Sequence, residues 1–270
     1  MPCLPNRAST VGELRQGLSR SVAGAWRVFD QASRLPSRVT PAVPILFFGD
    51  LNAYWISPLR VLTVGLNPSL HEFPADEPFR RFPLAGDSRD REPDRYLDAM
   101  SAYFRTTPYR SWFAAFEPLL NGAGSSYYPG EAASTVLHTD ICSPVATDPT
   151  WNKLGRSERA VLEADGRPLW HLLVAELRPH VLVLSVASGH LKSIGLAMTS
   201  GWEVAHAFEQ TRSGNPRKRP YKVSSRWSQV GGEPCLLVFG PAAQKPFGLL
   251  SNTQKRETGA LAEKLYRHGR

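Results

Sequence analysis

The stretch Arg60-Val61-Leu62-Thr63-Val64-Gly65-Leu66-Asn67-Pro68-Ser69 decides the fold. Its first half is a short, β-branched apolar run, and its second half breaks off in glycine, asparagine and proline, the residues of a turn. Such a pattern reads as a buried strand that delivers its carboxyl end into a loop. Working outward, Ile45-Leu46-Phe47-Phe48 is another apolar run after the proline-framed breaker at 36–44, and 135–142 is apolar and β-branched enough for a second strand. Pro179 precedes Val181-Leu182-Val183-Leu184-Ser185-Val186, which reads as a strand buried on both faces, as in a parallel sheet. Residues 202–208, 221–223 and 235–239 repeat the theme.

Helical spacing fills the intervals. Val11, Leu14, Leu18, Val22, Trp26 and Phe29 recur at three- and four-residue steps, with Thr10 available as N-cap. Tyr96, Met100, Tyr103 and Phe104, then Trp112, Phe113 and Phe116, predict two helices with an aromatic core stripe. Leu169, Leu172, Leu173 and Leu177 share one face of a helix over 159–177, and a polar helix with Leu261 and Leu265 closes the chain. Strands alternating with helices predict an α/β fold: a single three-layer domain over 45–270 whose central, mostly parallel sheet is flanked by helices, with 1–44 a helix and linker packed on it.

The 270 residues, 42% of them hydrophobic, suffice for a sizeable core and exclude a collagen-like, wholly disordered or disulfide-scaffold protein. Lys+Arg 32 against Asp+Glu 24 gives a net charge of +8, which favours nucleic acid or another anionic partner. Cys3, Cys142 and Cys235 are odd in number and far apart, and His71, His138, His171, His180 and His190 show no ligand spacing with them. No metal and no cofactor is therefore expected, and the thiols point to a reducing compartment. Residues 1–10 lack a signal peptide's apolar stretch, and no apolar run approaches the roughly 18 residues of a membrane span. A soluble, cytoplasmic protein is expected, nucleoid-associated if bacterial, with no membrane partner and no obligate protein partner.

Ligands of open parallel sheets bind beyond the carboxyl ends of the strands, so the loops after Val64, Cys142 and Phe239 are the candidate site. Asn67 lies between Gly65, which permits close backbone approach, and Pro68, which stiffens the turn; its amide is either fixed against a substrate or water, or part of an ordinary turn. Asp140 is an unusual strand residue. The loop at 74–93 carries four prolines and many charges and is a candidate lid or substrate-facing segment. Arg217, Lys218 and Arg219, framed by Pro216 and Pro220, read as a basic loop that either pairs with phosphates or is solvated surface. Ser185-Val186-Ala187-Ser188-Gly189 offers backbone N–H groups to phosphate at most, and Asp50 and Asp148 are loop carboxylates that either orient water or are plain surface Asp, with nothing in their spacing to separate the two.

The segment from Arg60 to Ser69 resembles the strand and first motif, G-[LIM]-N-P-G, of the uracil-DNA glycosylase superfamily, nearest its mismatch-specific and single-strand-selective branches. The resemblance covers about 45–250 in strand order. It implies a monofunctional DNA glycosylase that flips a nucleotide from DNA and leaves an abasic site, with Asn67 holding the attacking water and Gly65, Leu66, Pro68 and Ser69 lining the base site. Phe79, in Glu77-Pro78-Phe79, takes the place of the ring that stacks on the base, with Phe73 and Phe82 competing for it. His138-Thr139-Asp140-Ile141-Cys142-Ser143-Pro144 is similar to the H-N-L-C-P segment that carries the base-reading Asn, one residue out of step. With Asp140 as reader, a carboxylate that only accepts suits the exocyclic amine of cytosine and repels O4 of uracil; alternatively Asp140 is a buried Asp satisfied by the protein. Ser69 stands where strict uracil enzymes carry a bulky Tyr, which leaves the 5-position open.

Gly240, Pro241, Ala242, Ala243, Gln244 and Lys245 stand where the family places its second motif, often H-P-S, but without the His. The resemblance implies DNA contact there, with Gln244, Lys245 or Phe247 as wedge and Phe247 equally a core aromatic. The substrate so implied is a modified cytosine, extending to glucosylated 5-hydroxymethylcytosine as in anti-phage members. A uracil or thymine mismatch repair enzyme and a catalytically inactive DNA-binding module of the same fold are the alternatives.

Overall fold

The computed structural model describes residues 7–86 and 91–269, so Cys3 and part of the 74–93 loop lie outside the described residues. The helices are α1 (Arg7–Gln31), α2 (Leu51–Ile56), α3 (Pro93–Ser101), α4 (Arg110–Phe113), α5 (Glu117–Gly122), α6 (Arg156–Leu177) and α7 (Asn252–His268). The strands are β1 (Val61–Gly65), β2 (Ser125–Ser126), β3 (Ser134–Thr135), β4 (Leu137–Asp140), β5 (Val181–Leu184), β6 (Ala197–Met198), β7 (Glu203–Gln210), β8 (Pro216–Val230) and β9 (Glu233–Phe239). The chain forms two compact units. The first comprises the chain up to Ser57, Leu66–Pro108 and Thr139–Leu177; the second comprises Pro58–Gly65, Tyr109–His138 and the chain from Arg178 onward.

In the first unit, α1 packs on α6 and α3 through the predicted stripe of Leu14, Leu18, Val22, Trp26 and Phe29, all buried. The helix begins at Arg7, so Thr10 lies inside it and not at its N-cap, because the preceding residues are themselves compatible with helix. Helix α6 starts earlier than its apolar spacing suggests, and Leu172 is 37% exposed while Leu169, Leu173 and Leu177 are buried as expected. Gly166 lets α6 seat against the chain after β4: a Cβ there would stand 2.1 Å from the carbonyl oxygen of Cys142. Trp170 Nε1 donates to Thr139 Oγ1 at 3.1 Å in the same buried layer.

A seven-stranded sheet has the order β4-β1-β5-β9-β8-β6, with β7 paired to β8, and all of it but Thr139 and Asp140 of β4 belongs to the second unit. Strands β1, β5 and β9 run parallel, with Val61 opposite Val181 and Val181 opposite Leu236. Their side chains are almost wholly buried, as the unbroken apolar runs require. The α/β class and the parallel centre are thus as expected, and β8 adds antiparallel pairings to β9, β6 and β7. Thr63, inside β1, lies 2.7 Å from His138 Nδ1 and 2.5 Å from the Tyr127 hydroxyl, which satisfies the polar groups in that layer.

Arg217, Lys218 and Arg219 are not in a loop: they belong to β8. The prolines that suggested a loop are tolerated because pairing with β7 jumps from Tyr221–Phe208 to Pro216–Gln210, so residues 217–220 fall in an irregular stretch that needs no ladder N–H. Helix α7 begins with a capping box, Ser251 accepting from Gln254 N–H and Gln254 reaching back to Ser251 N–H. Its buried face is Thr258, Gly259, Ala262 and Tyr266, and a Cβ on Gly259 would lie 1.8 Å from Leu119 O of α5.

Candidate functional site

Asn67 follows the end of β1, half-buried, and its orientation is fixed by what surrounds it. Its Nδ2 donates to Pro68 O at 2.8 Å, Thr147 Oγ1 at 2.8 Å and Val145 O at 3.3 Å. Two of those acceptors are carbonyls, so the NH2 and not the oxygen must face them. Among the described residues Oδ1 has no partner, leaving an acceptor whose direction the protein dictates. The backbone braces the same loop: Cys142 N–H donates to Leu66 O, Thr147 N–H to Pro68 O, and Leu70 N–H to Thr147 O. Thr147 Oγ1 in turn donates to Pro149 O at 3.0 Å. Thr147 is thus a positioning residue invisible to motif reading, its only sequence signal being the polar loop that follows β4.

Gly65 ends β1, buried, and Pro68 is buried beside half-buried Leu66. Ser69 accepts from His71 N–H at 3.4 Å and caps the short helix Leu70–Glu72. That turn carries Glu72, which sequence reading missed. Its carboxyl is 5% exposed and accepts from the Tyr103 hydroxyl at 2.5 Å. Burial pushes it up, the Tyr103 hydrogen bond and Arg81 pull it down, the charge of Asp140 raises it, and the balance stands at about 7. Asp140, buried at the end of β4, is therefore within electrostatic reach of Glu72. Tyr103 belongs to an aromatic cluster with Phe48, Phe73 and Phe82, with Phe73 and Phe82 stacked at 5.6 Å and Tyr103 5.1 Å from Phe82.

Phe73 and Phe82 are fully buried, so the 74–93 loop is anchored at 73 and 82 by core rings. Phe79 is half-buried and packs edge-on against Phe73 at 6.3 Å, which makes it the one of the three with surface to offer a ligand. Asn67, Ser69, Glu72, Phe79 and Asp140 all belong to the first unit. Asp50 is structural: it caps α2 through Ala53 N–H and pairs with Arg105. Cys142 and Cys235 are buried free thiols that burial pushes up, the inert kind.

The other candidates belong to the second unit. Gly240 lies against Phe247, where a Cβ would stand 2.2 Å from its ring, and Phe247 itself is fully buried core, not a wedge. Ser185, at the end of β5, donates to Gly240 O and accepts from Phe247 N–H, so it pins this loop. The following helix, Ser188–Ser193, is a single short 3-10 segment. Pro241 O accepts from the Tyr221 hydroxyl at 2.8 Å, and Pro241 lines a cavity of about 370 Å³ with Arg217, Arg219, Tyr221 and Lys222. Arg217 is tethered to Gln210 O and Leu249 O, whereas Lys218 and Arg219 are exposed. Ala242 and Ala243 are half-buried, and Gln244, at φ 59°, and Lys245 are exposed.

Among the described residues no group of three His, Cys, Asp or Glu side chains could hold a metal ion, and no helix is long and apolar enough to cross a membrane. Compared with known proteins, the chain matches no family model and no curated protein.

Proposed function

We propose that the chain is a monofunctional DNA glycosylase of the uracil-DNA glycosylase superfamily, acting on a modified cytosine. The observation that carries this reading is the Asn67 carboxamide, whose NH2 is held on Pro68 O and Thr147 Oγ1 so that Oδ1 faces away as a fixed acceptor. An acceptor so held orients one water, and orientation is what a dissociating glycosidic bond needs from its nucleophile. The C1′–N1 bond breaks with its electron pair on the base, water oxygen bonds to C1′, and the water's proton passes to solvent or the departing base. An abasic site and a free base result.

The base edge has a matching pair. Asp140 accepts from the exocyclic amine, and Glu72, which burial keeps protonated through mildly acidic pH, donates to N3. Cytosine presents that donor and acceptor side by side, and uracil presents the reverse. Phe79 stacks on the base, Ser69 leaves the 5-position open to a bulky substituent, and the basic excess with Lys218, Arg219 and Lys245 serves the phosphates.

The test is abasic-site formation on DNAs containing uracil, a thymine mismatch, 5-methyl-, 5-hydroxymethyl- and glucosylated 5-hydroxymethylcytosine. Cleavage restricted to a cytosine derivative is the expected result, and Asp140→Asn is expected to shift preference toward uracil-type bases. Uracil activity in the unmodified protein overturns the substrate assignment; binding without any abasic product overturns the enzymatic one.

A further inference from the structure

The second unit contains a cavity of about 470 Å³ whose lining includes Gln244 and Lys245 of the proposed DNA-contacting loop and, beyond them, Arg212 and Lys255, to which the glycosylase reading gives no role. Its rim carries Arg212, Lys245, Gln244, Ser111 and Asn252, all exposed, and its floor is Lys255. Lys255 is 6% exposed, and its Nζ donates to Ala115 O at 2.6 Å and Pro246 O at 3.2 Å. Those two bonds leave one ammonium hydrogen uncommitted.

The charge here is uncompensated. No acidic residue lines the cavity, and among the described residues Arg212, Lys245 and Lys255 have no ion-pair partner. Burial, together with the charges of Arg212 and Lys245, lowers the Lys255 ammonium to about 8. A buried cation is costly unless something pairs with it, and two further cations on the rim raise that cost. Helix α7 adds the same sign, since its positive end opens at Asn252 on the rim. The loop that presents Lys245 is held in a demanding conformation, with Gln244 at φ 59° and Phe247 at φ 48°. Such strain is kept where surrounding structure or function requires it.

We infer that this cavity is a phosphate-binding site, in which Arg212, Lys245 and Lys255 converge on one phosphate group and Gln244, Ser111 and Asn252 contact what the phosphate carries. The volume exceeds what an isolated phosphate fills and admits a nucleotide-sized group. The shared chemistry is a phosphate ester, supplied either by the DNA backbone or by a free nucleotide. The inference stands on the cation cluster; it shares Lys245 with the proposed DNA contact but needs no base excision.

The test is calorimetric titration of the full chain with pyrophosphate and with a 5′-mononucleotide at constant ionic strength. One saturable site is expected, weakened about tenfold by Arg212→Ala and by Lys245→Ala and lost in Lys255→Met. The two rim positions are exposed, so they keep the test valid even if the buried substitution compromises folding. Competition then identifies the source. If a single-stranded oligonucleotide displaces pyrophosphate and both rim variants weaken DNA binding, the occupant is a backbone phosphate. If DNA neither competes nor responds to the variants, the occupant is a free nucleotide, and this result holds even for a protein without glycosylase activity. Absent pyrophosphate and nucleotide binding, or binding that the rim variants leave unchanged, overturns the proposal.

Discussion

The loops that leave β1 and β9 start from equivalent places, the carboxyl ends of two parallel strands, and are built for different work. The loop at 66–72 is tied by three backbone hydrogen bonds to the 142–147 segment and has no residue with positive φ. It carries a neutral carboxamide and a buried acid, groups that direct single hydrogen bonds. The loop at 240–248 holds two residues in the left-handed region and faces a cluster of cations with no acid among them. One loop is suited to reading the edge of a neutral base, the other to holding an anion. The 66–72 backbone is ordinary and braced, and the 240–248 backbone is bent beside a cluster of cations.

The largest effect expected is at Asn67. Asn67→Ala removes the fixed acceptor and is expected to lower abasic-site formation by a factor of about 10²–10³, the scale for losing one preorganised hydrogen-bonding group at a reacting centre. DNA affinity, measured by fluorescence anisotropy, should be unchanged. A variant with full activity would show that the loop at 66–72 is only a braced turn, and the contrast between the loops would reduce to geometry.

Glu72 gives the next effect, in stability. Its folded carboxyl titrates near 7 and its ordinary value is 4.5, so between these pH values the folded protein holds a proton the unfolded chain has released. Stability from this group therefore falls as pH rises from about 4.5 to about 7 and is level above. Glu72→Gln keeps an acceptor for the Tyr103 hydroxyl and removes the slope. Urea melts across that range should show the variant more stable at neutral pH by a few kcal/mol. Curves that stay parallel would mean Glu72 is ionised in the folded protein and cannot donate to a base.

Thr147 separates positioning from chemistry. Thr147→Val deletes the oxygen that accepts from Asn67 Nδ2 and donates to Pro149 O, and about 1 kcal/mol of stability should go with it. With Asn67 held only by the Pro68 and Val145 carbonyls, kcat is expected to drop roughly tenfold at nearly constant KM, and Thr147→Ser should restore it. A stability loss with kcat intact would make Thr147 merely structural.

Much of this was legible in the sequence, and the exceptions have physical causes. The unbroken apolar runs of β1 and β5 declared a parallel centre, and the abrupt Gly65-Leu66-Asn67-Pro68 ending located the loop that carries the carboxamide. Glu72 was hidden because it is buried with its carboxyl on the hydroxyl of Tyr103, 31 residues further along the chain. Lys255 was hidden because α7 turns its small residues inward; a face of Thr258, Gly259 and Ala262 leaves no apolar stripe to read, and Leu261 and Leu265 are only half-buried. The strand containing Arg217 was hidden by prolines that an irregular two-stranded pairing accommodates.

The smallest effect tests the backbone half of the comparison. At Gln244, φ 59° costs a non-glycine residue about 1 kcal/mol, while glycine there adds unfolded-state entropy of somewhat less than that. Gln244→Gly is therefore expected to stabilise the protein by about 0.5 kcal/mol, a rise of one or two degrees in Tm. Ser69, at φ −118°, has no such strain to relieve and caps the turn that carries Glu72. Ser69→Gly should accordingly destabilise by a few tenths of a kcal/mol. Opposite signs in differential scanning calorimetry would confirm that only the β9 loop stores backbone strain. Equal signs would mean that the two loops differ in charge alone, and that the bend at Gln244 does not serve the cation cluster.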